Sequence, residues 1–172
     1  MIEFKTLETA HVVAFHDWLR DPEVIKYSLS IFQKMETNAQ IDLWYFDLIE
    51  NSKSVNYGIF LKENNQFVGY CGLCNLSEAN SSGEYFIFIG DKQQWGKGIS
   101  TQATQKLLHI GFNQLNLNRI MLTVSQPNVG AAKSYLKAGF KEEGILREAC
   151  FRDDQFHDKI IMSVLKKEWG NR

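Results

Sequence analysis

The chain has 172 residues, of which 44% are hydrophobic and 23% charged, values typical of a globular protein, and we expect one domain over residues 1–172. With 19 basic against 20 acidic residues the formal net charge is −1, so we expect no nucleic-acid partner. The sequence has no apolar run of transmembrane length and no signal-peptide pattern, which predicts a cytoplasmic protein without membrane association.

The three cysteines cannot all pair, which also favours a reduced setting. Cys71 and Cys74 form a CxxC pattern, but they fall in an apparent strand, where their odd spacing directs them to opposite faces. No second Cys/His pair lies near them in sequence. We therefore expect core cysteines and no metal site, with a metal or redox site as the alternative.

The first half of the chain is predicted to contain a strand, a group of helices and then a hairpin. Apolar and polar residues alternate at the start, whereas later apolar residues recur at helical spacing. The predicted elements are a strand at 2–7, a helix through 12–19, a helix begun by Asp21-Pro22, a helix after the capping box Thr37-x-x-Gln40 that ends at Asn51 and Ser52, and paired strands at 55–61 and 66–76 around an Asn64-Asn65 turn.

The second half alternates strands and helices. The predicted elements are a strand at 83–89, a helix from Ile99 to Gly111, a strand at 119–124, a helix capped by Asn128 and stopped by Gly139, and strands at 140–146 and 157–165 joined by a loop that contains Asp153-Asp154. Early hairpins followed by a strand–helix–strand–helix–strand section predict an α/β fold. It consists of one mixed, mostly antiparallel twisted sheet with helices on both faces.

The most informative stretch is residues 90–101, a glycine-bearing turn between a buried strand and an amphipathic helix. The first N–H groups of a helix have no internal partner, and the helix dipole adds positive charge there. Gly96 and Gly98 carry no side chain that would keep a phosphate from those amides. The turn therefore predicts an anion site, with a plain structural turn as the alternative.

The spacing of this turn excludes two common phosphate loops. A Walker A loop needs Ser or Thr directly after Gly-Lys, but Gly98 follows Lys97. A dinucleotide fingerprint needs a third glycine where this chain has Thr101. The remaining pattern, Gln93-x-x-Gly96-x-Gly98, resembles the pyrophosphate loop (Q/R-x-x-G-x-G/A) of the GNAT superfamily of acyl-CoA-dependent N-acetyltransferases. That family often has Gly where this chain has Ser100.

A second pattern follows about thirty residues later. Asn128, Ala131 and Tyr135 share one face of a predicted helix that ends in Gly139-Phe140. Packing of Tyr135 at the edge of the core would explain this spacing. The segment also resembles the GNAT pattern N-x-x-A-x-x-x-Y-x-x-x-G-F at every position. The two motifs stand in the family's order, and the tail, with its Gly-Ile-Leu-Arg-Glu run at 144–148, resembles the RimJ/RimL-like branch.

The resemblance implies that acetyl-CoA is the cosubstrate. Backbone amides of the loop would bind its pyrophosphate, Asn128 would bond its pantetheine or phosphate arm, and the strand before the loop would contact the pantetheine amides. The implied cofactor-binding residues are Phe88, Ile89, Gln93, Gln94, Trp95, Gly96, Lys97, Gly98, Ile99, Ser100, Thr101, Asn128, Ala131 and Lys133.

The resemblance also implies two catalytic residues. Tyr135 matches a family Tyr that can protonate the departing thiolate, and Glu84 matches an acidic residue that many members use as a base. Both functions are needed, because an amine with a pKa near 10 is mostly protonated at neutral pH and the sulfur must leave. The alternative for Glu84 is a solvated strand residue. Cysteine catalysis is disfavoured, since no Cys lies beside a His in these motifs.

The acceptor is predicted to be a small-molecule amine, with a protein N-terminus such as that of a ribosomal protein as the alternative. Candidate lining residues are Phe32, Trp44, Tyr27, Phe151, Phe156, Asp153 and Asp154. A non-catalytic acyl-CoA sensor on the same fold is a rival that need not keep both Glu84 and Tyr135. The oligomeric state stays open: Trp95 and Trp169 could serve a homodimer or pack locally.

Overall fold

A mixed sheet organises the chain. The computed structural model describes residues 1–50 and 53–170. Its strands are β1 (Ile2–Lys5), β2 (Val55–Leu61), β3 (Phe67–Ser77), β4 (Ser82–Ile89), β5 (Arg119–Ser125), β6 (Lys141–Arg152) and β7 (Gln155–Leu165). Within this described part the seven strands form one sheet in the order β1-β2-β3-β4-β5-β7-β6. β4 and β5 are parallel and all other neighbours are antiparallel, which confirms the predicted fold class.

The helices begin and end close to the predicted signals. They are α1 (Val12–Trp18), α2 (Pro22–Ile25), α3 (Asn38–Glu50), α4 (Ile99–Asn113), α5 (Val129–Ala138) and α6 (Lys166–Trp169), with short 3-10 turns at Thr9–His11, Ser30–Lys34 and Lys92–Gln94. The Glu23 N–H donates to the Asp21 carboxylate at 3.0 Å. The capping box before α3 is confirmed: the Gln40 N–H donates to Thr37 Oγ1 at 3.3 Å, and the Thr37 N–H donates to Gln40 Oε1 at 3.1 Å.

The core lies in two layers, one on each face of the sheet. One layer joins α4 and α5 to the sheet through residues such as Leu107, Ile120 and Tyr135. The other joins α1, α2 and α3 to the opposite face, with Phe15, Tyr45 and other aromatic side chains at its centre. Helices therefore cover both faces, as predicted, and a residue's face decides which helices it meets.

One strand is longer than predicted, and the predicted end of one helix falls on residues that the structure does not describe. β6 continues to Arg152, although its last predicted residue is Leu146, because antiparallel pairing with β7 resumes from Cys150 to Arg152 after an irregularity. The end of α3 predicted at Asn51 and Ser52 lies outside the described residues. In the part of the chain that the structure describes, every helix is too short or too polar to cross a membrane.

Candidate active site

The glycine turn after β4 forms a cradle for an anion. Gly96 and Gly98 have φ angles of +74° and +77°, in the left-handed region that favours glycine. A Cβ atom added to either residue would meet nothing within 4 Å, so the space beside this turn is open. The Gln93 N–H donates to the Asp91 carboxylate at 3.0 Å, and Trp95 Nε1 donates to the Ile89 carbonyl at 2.9 Å. These two bonds fix the loop before the turn.

The N-terminus of α4 is available to a ligand. Gly98 is the N-cap residue and provides no side-chain cap, and the Gln102 N–H donates to the Gly98 carbonyl at 3.1 Å. The N–H groups of Ile99, Ser100 and Thr101 therefore precede the first helical hydrogen bond. Open space, glycines and three amides at the start of a 15-residue helix suit the pyrophosphate of an acyl-CoA.

An opening between β4 and β5 lies next to this cradle. The two strands pair only from Ser82–Arg119 to Glu84–Met121. Beyond Glu84, β4 continues to Ile89 with β3 on one side, and the described part of the chain has no strand paired on its other side. In the described part of the chain the backbone of residues 85–89 thus has no paired strand on the β5 side, and an extended amide-bearing ligand can add there as a strand does. This fits the predicted contacts of Phe88 and Ile89 with pantetheine.

Tyr135 lies on the α4/α5 face beside this opening. Its ring packs perpendicular to that of Tyr85, with ring centroids 6.1 Å apart, and against Phe140. Burial raises the pKa of Tyr135 above the ordinary value of 10, because the phenolate would lose its hydration. Tyr135 therefore keeps its proton at neutral pH and can donate it or a hydrogen bond.

Glu84 lies on the opposite face of the sheet. Its antiparallel partner is Cys74, and partners across a ladder share a face, so both point to the side of α1–α3. Asn75 Nδ2 donates to Glu84 Oε2 at 2.8 Å, and no cation pairs with Glu84 in the described part of the chain. Burial, with a smaller contribution from the Glu84 charge, raises the pKa of Cys74 to about 11. Glu84 and Tyr135 thus approach the β4–β5 opening from opposite faces.

The tip of the β6–β7 hairpin contacts the α2 region on the Glu84 side. Arg152 Nη2 donates to the Ser28 carbonyl at 2.9 Å, and Lys26 pairs with Asp153 at 3.0 Å. The tip turns through Asp153 and Asp154, both with positive φ. The region after α2 and the last loop, which both supply candidate lining residues, therefore lie in contact.

The structure shows the contacts of three further residues named from the sequence. The prediction that Phe32 lines the acceptor pocket is wrong, because its side chain is 1% exposed and packed in the core. Its ring centroid lies 4.7 Å from that of Trp44 and 5.3 Å from that of Phe88. Asn128 Oδ1 accepts from the Ala131 N–H at 3.3 Å, which leaves its NH₂ group as the part suited to a ligand. Trp169 packs locally, against Phe112.

Two further predicted cofactor-binding residues lie in the loop and on α5. Gln94 accepts from Lys97 Nζ at 3.1 Å within the loop, and Lys133 is exposed on α5. Cys71 is buried in the core, as expected. Among residues 1–50 and 53–170, no three His, Cys, Asp or Glu side chains cluster closely enough to hold a metal ion.

Two polar connections were missed at the sequence level. The hydroxyl groups of Ser100, Thr101 and Ser134 form hydrogen bonds between α4 and α5, and Asn75 bonds Glu84 across the β3–β4 hairpin. The first joins residues more than thirty positions apart, for which the sequence carries no signal. The second follows from a strand register that pattern alone does not fix.

Comparison with known proteins agrees with this geometry. A model of the acetyltransferase (GNAT) domain matches residues 2–141. An uncharacterized N-acetyltransferase, p20, of Bacillus licheniformis is 31% identical over 165 residues, which cover 95% of this chain and 91% of the relative. The spermidine N(1)-acetyltransferase of Escherichia coli K12 is 29% identical over 154 residues, covering 82% of each.

Solved structures agree on the fold. The crystal structure of spermidine N-acetyltransferase from Vibrio cholerae in complex with CoA and spermine superposes with a TM-score of 0.88 at 23% identity, covering 99% of this chain and 98% of that one. The domain matched is that of an acyl-CoA-dependent transferase, with acetyl-CoA as cosubstrate. The chain belongs to the GNAT family of N-acetyltransferases.

Proposed function

We propose that the protein transfers an acetyl group from acetyl-CoA to a primary amine of a small cationic molecule, with a polyamine such as spermidine as the first choice. The observation that carries this is the β4–β5 opening with Glu84 on one face and Tyr135 on the other. An amine that enters from the Glu84 side can lose a proton there, while the leaving sulfur is protonated from the Tyr135 side.

The cofactor contacts are proposed on the same grounds. Loop amides from Gly96 to Thr101 would hold the pyrophosphate, and the open edge of residues 85–89 would hold the pantetheine arm. Acetyl-CoA supplies the activated acyl group. An N–H of β4 at this edge is suited to stabilise the carbonyl oxygen as it gains negative charge during attack.

The charge of Glu84 favours a cationic acceptor. Its hydrogen bond comes from a neutral amide, so the carboxylate charge is not compensated by an ion pair in the described part of the chain. A carboxylate of this kind attracts an ammonium group and can accept its proton. The spermidine acetyltransferases among the relatives act on amines of this chemistry. The hairpin tip that bonds Ser28 lies over the same face, which favours a slender acceptor over a folded protein.

Other features of the assignment stay predictions. They are the RimJ/RimL-like branch, one domain over residues 1–172, a cytoplasmic location and the oligomeric state. Acetylation of a protein N-terminus is the second candidate function, since that amine too is a cation beside Glu84. A sensor that binds acyl-CoA without transfer is the third.

The proposal is tested by thiol release from acetyl-CoA with spermidine, spermine, a peptide with a free N-terminus and a neutral control compound. We expect release with a polyamine and a mass increase of one acetyl group on the product. Release with the peptide alone would favour the second candidate. CoA-induced thermal stabilisation without release for any amine would favour the sensor.

Replacement of Tyr135 by Phe tests the proton donor. Because only the hydroxyl is removed, kcat should fall by about 10²-fold while the KM for acetyl-CoA stays within about twofold. Tyr57→Phe is the matched control, since Tyr57 stacks on Phe4 away from the opening and should retain wild-type kcat. A Tyr135→Phe variant with kcat within about twofold of wild type would show that the acid role is wrong.

A further inference from the structure

Ser134 lies at the centre of a hydroxyl bridge between the pyrophosphate loop and α5. Its Oγ donates to Ser100 Oγ at 3.1 Å and lies 3.0 Å from Thr101 Oγ1. A hydroxyl has one hydrogen, so Thr101 is the donor in the second bond. The bridge therefore runs in one direction, from Thr101 through Ser134 to Ser100. It ties the second and third residues of α4 to the residue directly before Tyr135.

A second connection starts from the backbone of the same Ser100. The hydroxyl of Thr104, which is fully buried, donates to the Ser100 carbonyl at 2.7 Å. The hydroxyl of Tyr85 lies 2.9 Å from Thr104 Oγ1, and Tyr85 must be the donor because the Thr104 hydrogen is already used. The ring of Tyr85 packs edge-on against Tyr135. Ser100 is thus linked to Tyr135 through its side chain and through its carbonyl.

We propose that Ser134 is a positioning residue that sets the Tyr135 hydroxyl relative to the pyrophosphate loop. This inference rests on the proposed function of Tyr135. The loop fixes one end of the cofactor, and the bridge fixes the helix that carries the proton donor. The same residues of α4 therefore position both the cofactor and the proton donor. Apolar packing between α4 and α5 is non-directional, so it does not fix how far one helix is shifted along the other. These hydrogen bonds require specific distances and angles and therefore fix that position. Ser100, at a position where the family often has Gly, provides the hydroxyl that accepts the Ser134 hydrogen bond.

The test is a double-mutant cycle of Ser134→Ala and Tyr135→Phe, with kcat and the KM for acetyl-CoA measured for each variant. Misplacement of a reacting group by about 1 Å can lower a rate by up to 10²-fold, and we expect about a tenfold lower kcat for Ser134→Ala with the KM changed less than about twofold. In the Tyr135→Phe background the same change should alter kcat by less than about twofold, because the group that Ser134 positions is already absent.

Two further variants separate positioning from general stability. Ser134→Thr keeps the hydroxyl and should retain kcat within about threefold of wild type. Thr37→Ala removes the hydrogen bond that caps α3, and this cap does not involve α4 or α5. The variant should therefore have a lower melting temperature and an unchanged kcat. Melting temperatures of all variants show that each is folded.

The outcomes separate this inference from the proposed function. A wild-type kcat for Ser134→Ala, or a tenfold loss in both backgrounds, would overturn the positioning role while the acid role of Tyr135 stands. A raised KM for acetyl-CoA with unchanged kcat would also overturn it, because Ser134 would then only support the loop. A wild-type kcat for Tyr135→Phe alone would overturn the acid role and this inference with it.

Discussion

Gly98→Ala tests the cofactor cradle most sharply, because the structure separates its two effects. The φ angle of +77° is costly for alanine, by about 1–2 kcal/mol, so the unliganded variant should melt about 2–8 °C lower for a protein of this size. The added Cβ meets nothing within 4 Å, so the protein itself is not crowded. The methyl group instead occupies the open space proposed for the pyrophosphate.

The effect on CoA binding follows from the hydrogen bonds at stake. Loss of one strong or two weaker bonds from backbone amides to a phosphate, at about 1.5–3 kcal/mol per bond, removes about 3 kcal/mol in total and corresponds to about 100-fold weaker binding. At a CoA concentration of 100 times the wild-type Kd, CoA stabilises the wild type by about 2.7 kcal/mol and a 100-fold weaker variant by about 0.4 kcal/mol. The CoA-induced shift in melting temperature should therefore fall from about 5–11 °C to about 1–2 °C.

The assay is thermal unfolding with and without CoA, and Gly144→Ala is the matched control. A Cβ at Gly144 also meets open space, but its φ lies outside the left-handed region and it is on β6, away from the loop. That variant should keep the wild-type CoA shift. If Gly98→Ala also keeps the full shift, the pyrophosphate does not lie at this turn.

Two other predictions concern single carboxylates. Glu84→Gln can keep the hydrogen bond from Asn75 but cannot accept a proton, so kcat should fall by about 10²–10⁴-fold; a kcat within about twofold of wild type would exclude Glu84 as the base. Hydrogen bonds from Arg119 and then Ser163 lower the pKa of Glu143 to about 2. Glu143 therefore stabilises the fold above its ordinary pKa, and this contribution is lost as the pH falls from about 4.5 towards 2. Because about a third of each side chain is exposed and water screens the pair, we expect Glu143 to contribute about 1 kcal/mol to the free energy of unfolding. Urea unfolding at a series of pH values measures this contribution. Between pH 4.5 and about 2 the free energy of unfolding of Glu143→Gln should vary less with pH than that of the wild type, and an equal variation would contradict the assignment.

The sequence predicted the local parts of this structure well, because local signals determine them. The capping box at Thr37, the cap at Asn128 and the glycine turn each depend on residues within about four positions of one another, and each forms as expected. The buried strands were equally clear, since short runs rich in aromatic and β-branched residues and bounded by turn residues, such as residues 85–89, favour strands.

The remaining features depend on pairing between distant segments. The end of β4–β5 pairing at Glu84 follows from how two strands diverge, which no pattern in either strand encodes. The extension of β6 to Arg152 was missed because residues 147–152 lack alternation, and the strand continues through the pairing of residues 150–152 with β7. Phe32 was misassigned because an aromatic residue near a predicted pocket has the same sequence signal as one in the core.

The most direct test of the central claim is the crystal structure of the protein with bound CoA. We expect the pyrophosphate at the amides of residues 96–101, the pantetheine arm along residues 85–89, and the sulfur within hydrogen-bond reach of the Tyr135 hydroxyl in the β4–β5 opening. A sulfur atom outside that opening, or on the far side of β4 from Tyr135, would contradict both the proposed site and the proposed division of roles between Tyr135 and Glu84.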